Sequence, residues 1–319
     1  MNDLQIIIRD RIQAAQCVLV TSHIRPDGDA IGSSLALGLA LLDAGKQVQV
    51  VLSDGVPASF KHLPGSDKIK TKAEGEFDLI ISVDCSDLKR IGKVLDDYRP
   101  PDIVIDHHST TEPFGTLNLV DPEAAATASV LTRHMWEWGL SITTPIAANL
   151  VTGLVTDTLG FRTSNTTPEV LRQAADLIEL GADMSTLYFR SLVRRTFPAT
   201  KYWGAALTNL ERADGIIWAS MTVADRKASG YTGNDDADLI NVVSSIDEAD
   251  IAIIFVEQNK SKTKVSWRGL KPNVDVSQIA SQFGGGGHKA ASGAEFSGSL
   301  DEVREHVLTA TRKALQQPT

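Results

Sequence analysis

Four short apolar runs constrain this chain most. They are residues 17–21 (CVLVT), 47–52 (QVQVVL), 77–83 (FDLIISV) and 102–105 (DIVI). Their lengths and Val/Ile content suit strands rather than helices. Runs that are apolar on both faces, with helical stretches between them, predict a parallel sheet covered on each side. Residues 3–15 carry Leu4, Ile7, Ile8 and Ile12 at helical spacing, and residues 30–44 end at Gly45, a residue suited to a helix C-terminus. Further helices are predicted over 126–138, 145–159 and 167–180. The last two begin with proline at the first helical position; Thr167 can cap the last and Gly181 can stop it.

The second half reads differently. Residues 185–201 hold Arg190, Arg194, Arg195, Lys201 and one proline. They predict a connecting helix that ends near Pro198, with the basic residues on a solvated face. Beyond it come predicted strands at 215–223, 251–257 and 263–267, and helices at 274–282 and 299–315. Gly284, Gly285, Gly286 and Gly287 form a loop between those two helices in this reading. A chain of 319 residues suits about two domains. The expected division is α/β throughout: a parallel-sheet domain over 1–185, a connecting helix over 186–200, and a smaller α/β domain over 201–319.

Composition excludes several classes. Lys and Arg total 31 against 40 Asp and Glu, a net charge of −9. That argues against a protein that grips long duplex nucleic acid by bulk charge. It leaves room for a short phosphate ester held at one cationic or metal site. Two cysteines, Cys17 and Cys85, make no disulfide framework and are expected to be buried thiols in a reducing cytoplasm. No apolar run approaches the roughly 18 residues of a membrane span, and the N-terminus does not pattern as a signal peptide. The expectation is a cytoplasmic protein with no membrane partner.

Polar residues gather where the predicted strands end, which is where open α/β sheets bind ligands. The first strand runs into His23-Ile24-Arg25-Pro26-Asp27-Gly28-Asp29; the third ends at Asp84 and the fourth at Asp106-His107-His108. Asp157 lies near the end of the 145–159 helix. Any one of these aspartates reads most simply as a cap or turn former. Five carboxylates and three histidines at one sheet edge are harder to explain so, because unpaired carboxylates in close quarters resist ionisation. No Lys or Arg density in these motifs offsets them, whereas two divalent cations would. Carboxylate oxygen with imidazole nitrogen, and no dedicated thiolate, suits Mn²⁺ or Mg²⁺ better than structural zinc. The usual chemistry of such a centre is in-line displacement at phosphorus.

HIRPDGDA, VDCSD, DHH and GLVTDT, in that order, closely resemble the four motifs of the DHH phosphoesterase superfamily. VSWRG followed by FGGGGHKAASG resembles its accompanying DHHA1 domain. The resemblance spans nearly the whole chain. Within the superfamily the length and the GGGGH motif look most like the bacterial bifunctional oligoribonuclease and phosphoadenosine-phosphate phosphatase branch. It implies a DHH domain and a DHHA1 domain with the active site in the cleft between them. It implies two divalent ions, Mn²⁺ first and Mg²⁺ or Co²⁺ as substitutes. His23 and Asp27 would hold one ion and Asp29, His107 and Asp157 the other, with Asp84 bridging. His108 would face the substrate phosphate, and Asp106 would orient an imidazole. Arg268, Gly284, Gly285, Gly286, Gly287 and His288 would bind the rest of the substrate. The implied substrates are short single-stranded RNAs and adenosine 3′,5′-bisphosphate; cyclic dinucleotides or the linear dinucleotide pApA are the alternative. Water serves as nucleophile, so neither cysteine is needed. The resemblance leaves room for a homodimer.

Overall fold

The computed structural model describes residues 3–316, apart from the His288 side chain. The chain divides into two compact units at Arg194/Arg195.

In the first unit the elements run α1 (Asp3–Ala14), β1 (Cys17–Thr21), α2 (Gly28–Asp43), β2 (Gln47–Val51), β3 (Leu79–Val83), β4 (Ile103–Asp106), β5 (Leu117–Val120), α3 (Thr127–His134), α4 (Thr144–Asp157), α5 (Pro168–Glu179) and α6 (Met184–Tyr188). The five strands form one parallel sheet in the order β2-β1-β3-β4-β5. Alternate residues of each strand face opposite ways. Val18, Val20, Ile81 and Val83 join the core shared with α1, α2, α3 and α4. Leu19 and Ile80 enter a smaller cluster with Ile91, Val94 and Leu95. That second face is covered by the segment after β3, including a 3₁₀ turn at Leu88–Ile91, rather than by long helices.

α2 and α4 cross closely because α2 has no side chain where they meet. A Cβ on Gly32 would lie 2.5 Å from the Asn149 carbonyl oxygen. This contact brings the C-terminal end of α4, and with it Asp157, to the N-terminal end of α2.

Several sequence expectations need correction. α3 ends at His134 rather than 138. β5 was not anticipated: it is a four-residue edge strand, too short to show a period. Cys17 is only partly buried, at the start of β1. The helix expected to end near Pro198 instead breaks after a π-helical turn, Phe189–Val193, and Pro198 begins the next helix, α7 (Phe197–Thr208). Proline suits a first helical turn, where no N–H partner is needed. The Thr196 hydroxyl caps that turn by accepting from the Ala199 N–H at 3.3 Å.

In the second unit α7 is followed by β6 (Glu211–Ala213), β7 (Ile216–Met221), α8 (Val223–Ser229), α9 (Leu239–Val243), β8 (Ile251–Asn259), β9 (Lys262–Gly269), α10 (Val276–Ser281), β10 (Gly286–His288), β11 (Ala291–Ser297) and α11 (Leu300–Gln316). Its mixed sheet has the order β10-β11-β9-β8-β7-β6, with only β7 and β8 parallel. One face packs Phe255 and Trp267 against α10 and α11; the other packs Ile217 and Ile254 against Tyr202 of α7 and Leu239 of α9. Among the described residues no helix is long and apolar enough to cross a membrane.

Candidate metal centre

In the first sheet, strand order reverses between β1 and β3. This is the switch point where connections leave to opposite sides and open a crevice beyond the strand ends. His23 follows β1, and Asp84 follows β3. Asp106 closes β4 with His107 and His108 behind it, and Asp157 is the last residue of α4.

Each side chain has a local reason for its pose. Asp27 caps α2: its Oδ1 accepts from the Asp29 and Ala30 N–H groups, both at 3.1 Å. That cap turns Oδ2 toward His23, 4.0 Å from Nε2. So the simple reading of Asp27 as a helix cap holds on Oδ1, and Oδ2 is left facing His23. His23 donates from Nδ1 to the Ile24 carbonyl at 2.8 Å, which leaves Nε2 facing Asp84 at 3.7 Å. His107 repeats the pattern, with Nδ1 on the Ala124 carbonyl at 3.3 Å and Nε2 3.1 Å from Asp157 and 3.7 Å from Asp84. A hydrogen bond on one ring nitrogen that presents the other is how metal-binding imidazoles are oriented.

Asp84 is fully buried and adopts a left-handed backbone, φ +52°. A non-glycine residue pays for that conformation. Its N–H donates to the Ile105 carbonyl at 2.9 Å, and its own carbonyl accepts from the Ser22 hydroxyl at 3.3 Å. Oδ2 faces His23, while Oδ1 faces His107 and His108.

Asp106 is engaged on both oxygens. Oδ1 accepts from the His107 N–H and from His108 Nδ1, both at 2.8 Å, and Oδ2 accepts from the Thr111 hydroxyl. With Nδ1 spent there, any role of His108 toward a substrate falls to Nε2.

Three overlapping donor groups result: His23, Asp27 and Asp84; Asp29, His107 and Asp157; and Asp84, His107 and His108. In each, one ligand atom per residue lies within 4.8 Å of the others. Asp84 is common to two of them. Electrostatics agrees with the donor chemistry. Burial, then the charges of Asp84 and Asp157, raise the Asp29 carboxyl well above its usual range. Asp157 is pushed up by burial despite His107. Burial alone would lower the His107 pKa; its bond to Asp157 and the charges of Asp84 and Asp29 raise it instead. Asp84 resists its own burial because three imidazoles surround it, and its pKa falls. Buried carboxylates that resist ionisation beside one another form a set that a divalent cation would relieve. The residues fit such a group.

The sequence reading missed several contributors. Thr127 donates its hydroxyl to Asp84 and its N–H to Asp29; Ser33 donates to Asp29 at 3.0 Å; Thr111 holds Asp106. A Cβ on Gly153 would lie 2.5 Å from Asp29 Oδ1. An Ala-Thr-Ala-Ser run and a lone helical glycine carry no signal of this without the fold.

Cys85 is buried, and burial pushes its thiol up to about 12. Arg25 takes a left-handed φ of +54°, with its N–H on Asp54.

In the second unit, Arg268 lies on β9, half-buried, and donates from Nη1 to the Trp267 carbonyl at 3.1 Å. The glycine run is not wholly a loop: Gly286 and Gly287 belong to β10. A Cβ on Gly285 would meet the Gly293 carbonyl oxygen at 2.3 Å, so strand approach as well as any ligand requires glycine there. The backbone positions of Arg268, Ala291 and His288 fall in one cross-strand row. The His288 side chain lies outside the described residues. The four basic residues of the connecting segment fall in both units. Arg190 and Arg194 belong to the first unit and Lys201 to the second, where Arg195 pairs with Asp238 at 2.9 Å and covers Trp203.

Residues 17–156 match the DHH family, N-terminal domain, and residues 220–317 match the DHHA1 domain. The bifunctional oligoribonuclease and PAP phosphatase NrnA of Thermus thermophilus is 34% identical, over 93% of this chain and 90% of its own. The Bacillus subtilis protein of the same name is 27% identical over 88% and 89%. An exopolyphosphatase-related protein from Bacteroides fragilis has the same fold, with a TM-score of 0.89, 26% identity and 98% of each chain covered. With its His/Asp cluster at the switch point of a five-stranded parallel sheet and a DHHA1 domain after it, this chain belongs to the DHH family of phosphoesterases.

Proposed function

We propose that this protein hydrolyses short single-stranded RNA, about two to five nucleotides long, to 5′-mononucleotides, and removes the 3′-phosphate of adenosine 3′,5′-bisphosphate. The observation that carries the reading is the buried Asp84 carboxylate, whose two oxygens face separate His/Asp groups. The names of the Thermus and Bacillus relatives support the choice of substrates.

In this reading His23, Asp27 and Asp84 hold one divalent ion, and Asp29, His107, Asp157 and Asp84 hold a second. Such ions, Mn²⁺ first and Mg²⁺ or Co²⁺ as substitutes, supply Lewis-acid polarisation of water and of phosphoryl oxygens. His23 and His107 present Nε2 because their Nδ1 atoms are tied to backbone carbonyls. Asp106 fixes the His108 ring, whose Nε2 meets the substrate phosphate and steadies charge building on its oxygens. Arg268, the glycine segment Gly284 to Gly287 and His288 hold the nucleotide beyond the scissile bond, the arginine by its guanidinium and the segment by backbone N–H groups. No serine or cysteine is needed as nucleophile.

The test compares rates, with Mn²⁺ present, on an RNA dinucleotide, a five-nucleotide RNA, a thirty-nucleotide RNA, adenosine 3′,5′-bisphosphate and cyclic di-AMP. Fast turnover of the short RNAs and the bisphosphate is expected, falling steeply with length. Equal rates on the five- and thirty-nucleotide RNAs, or a preference for cyclic di-AMP, overturn the substrate assignment.

A further inference from the structure

Thr127 opens α3 and is completely buried. The preceding residue, Ala126, has no side chain that could cap the helix, and the first N–H groups of any helix need partners from elsewhere. Asp29 supplies them from α2: its Oδ2 accepts from the Thr127 N–H at 2.6 Å and its Oδ1 from the Ala128 N–H at 3.0 Å. The Thr127 hydroxyl turns the other way and donates to Asp84 Oδ1 at 3.0 Å. One residue therefore holds a carboxylate from each of two different donor groups, one by its main chain and one by its side chain.

From this geometry we propose that Thr127 is the positioning residue of the metal centre, setting the plane of the Asp84 carboxylate so that one oxygen serves each donor group. The inference rests on the reading that these groups hold divalent ions. A carboxylate turns softly about its last torsion, which has broad, roughly two-fold wells. Among the described residues no other hydroxyl or backbone N–H donates to the two Asp84 carboxylate oxygens. A hydroxyl has one proton to give, and a β-branched side chain has few rotamers from which to give it. Fixed on Oδ1, that bond leaves Oδ2 toward His23 and the second lone pair of Oδ1 toward His107. Rotation out of this plane would aim neither oxygen at its group. Partners that orient metal ligands in this way commonly change metal affinity 10- to 100-fold when removed.

The experiment titrates metal-free wild type, T127V and T127S with Mn²⁺ by calorimetry, and records thermal unfolding of each in EDTA. T127V keeps the shape and the N–H bond to Asp29 but removes the hydroxyl. The expected result is Mn²⁺ affinity weaker by roughly 10- to 100-fold in T127V and near wild type in T127S, with unfolding temperatures in EDTA unchanged relative to the loss. T127V binding Mn²⁺ as tightly as wild type overturns the proposal. So does a folded T127S that binds as weakly as T127V, and T127S carries the test alone should T127V not fold. Wild type that takes up no Mn²⁺ overturns the metal reading itself, a different outcome from either.

Discussion

His107 Nε2 lies 3.1 Å from Asp157 Oδ2, so the imidazole can donate a proton to the same carboxylate with which it would share a cation. Proton and metal compete for this pair. Burial by itself would lower the His107 pKa, but the bond to Asp157 and the neighbouring carboxylate charges raise it above the ordinary 6.5.

A protonated ring cannot ligate, so if His107 is a ligand, Mn²⁺ uptake at neutral pH should release a proton from it. Apparent affinity should rise with pH from near 6.5 through the raised pKa, by up to about tenfold per unit for each proton displaced. The sign for the metal-free fold is the reverse. Its stabilisation by protonated His107 is present in full below 6.5 and is lost as pH rises through the raised value. Calorimetry in two buffers of different ionisation enthalpy counts the protons. No release at pH 7 would show that the His107 ring is already unprotonated.

Asp84→Asn keeps the shape of the buried carboxylate but removes its charge and half its ligand capacity. If Asp84 is shared by both donor groups, the variant loses several kcal/mol of charge stabilisation in the transition state, a rate loss of roughly 10³-fold or more. It should also bind less Mn²⁺. Rate on an RNA dinucleotide and metal content are measured together. Wild-type metal content with wild-type rate would remove Asp84 from the centre.

Asp106→Asn separates orientation from ligation. Asp106 accepts from the His107 N–H, His108 and Thr111, so both its oxygens are engaged, and it belongs to none of the three donor groups. The variant should lower kcat by roughly 10- to 100-fold while metal stoichiometry stays that of wild type. A loss of metal without loss of kcat per loaded site would make Asp106 a ligand rather than an orienting group.

How much of this was visible in the sequence differs by element. The strands 17–21 and 79–83 were legible because an apolar run on both faces has few other uses. His23, Asp84, Asp106, His107 and His108 were legible because they sit at or directly behind the ends of β1, β3 and β4. What failed were features whose cause is tertiary. Pro198 looks like a terminator in isolation, yet it begins α7 because Thr196 caps that turn. Gly286 and Gly287 look like loop residues until β11 is placed beside them. Thr127 and Gly153 have ordinary helical neighbours; Thr127 gains its role because Asp29 of α2 and Asp84 behind β3 reach the start of α3, and Gly153 because α2 and α4 cross at contact distance.

Gly153→Ala tests that crossing. The added methyl would fall 2.5 Å from Asp29 Oδ1 and 2.6 Å from the Ala128 Cβ, neither of which is the loose end of a flexible side chain. Helix propensity alone would favour alanine by about 1 kcal/mol. Overpacking should outweigh it, for a net destabilisation of about 1–2 kcal/mol, read as a lower midpoint in urea. Greater stability would mean that α2 and α4 separate freely and that Asp29 is not held where the structure has it.

Cys85 supplies the last test, because it adjoins Asp84 yet should do no chemistry. Its side chain is fully buried among Leu19, Ile80, Ile91 and Val94, and its Sγ lies 3.2 Å from the Asp87 carbonyl oxygen. With the thiol pushed up to about 12 by burial, the reactive thiolate is scarce at pH 7. The native protein should therefore resist iodoacetamide at Cys85, while the partly exposed Cys17 reacts first. Cys85→Ala should cost about 1 kcal/mol of stability through lost packing and leave kcat within about twofold of wild type, since in the hydrolytic reading water rather than sulfur attacks phosphorus. A kcat loss as large as that of Asp84→Asn, in a variant that still binds Mn²⁺, would require a covalent route that the hydrolytic reading excludes.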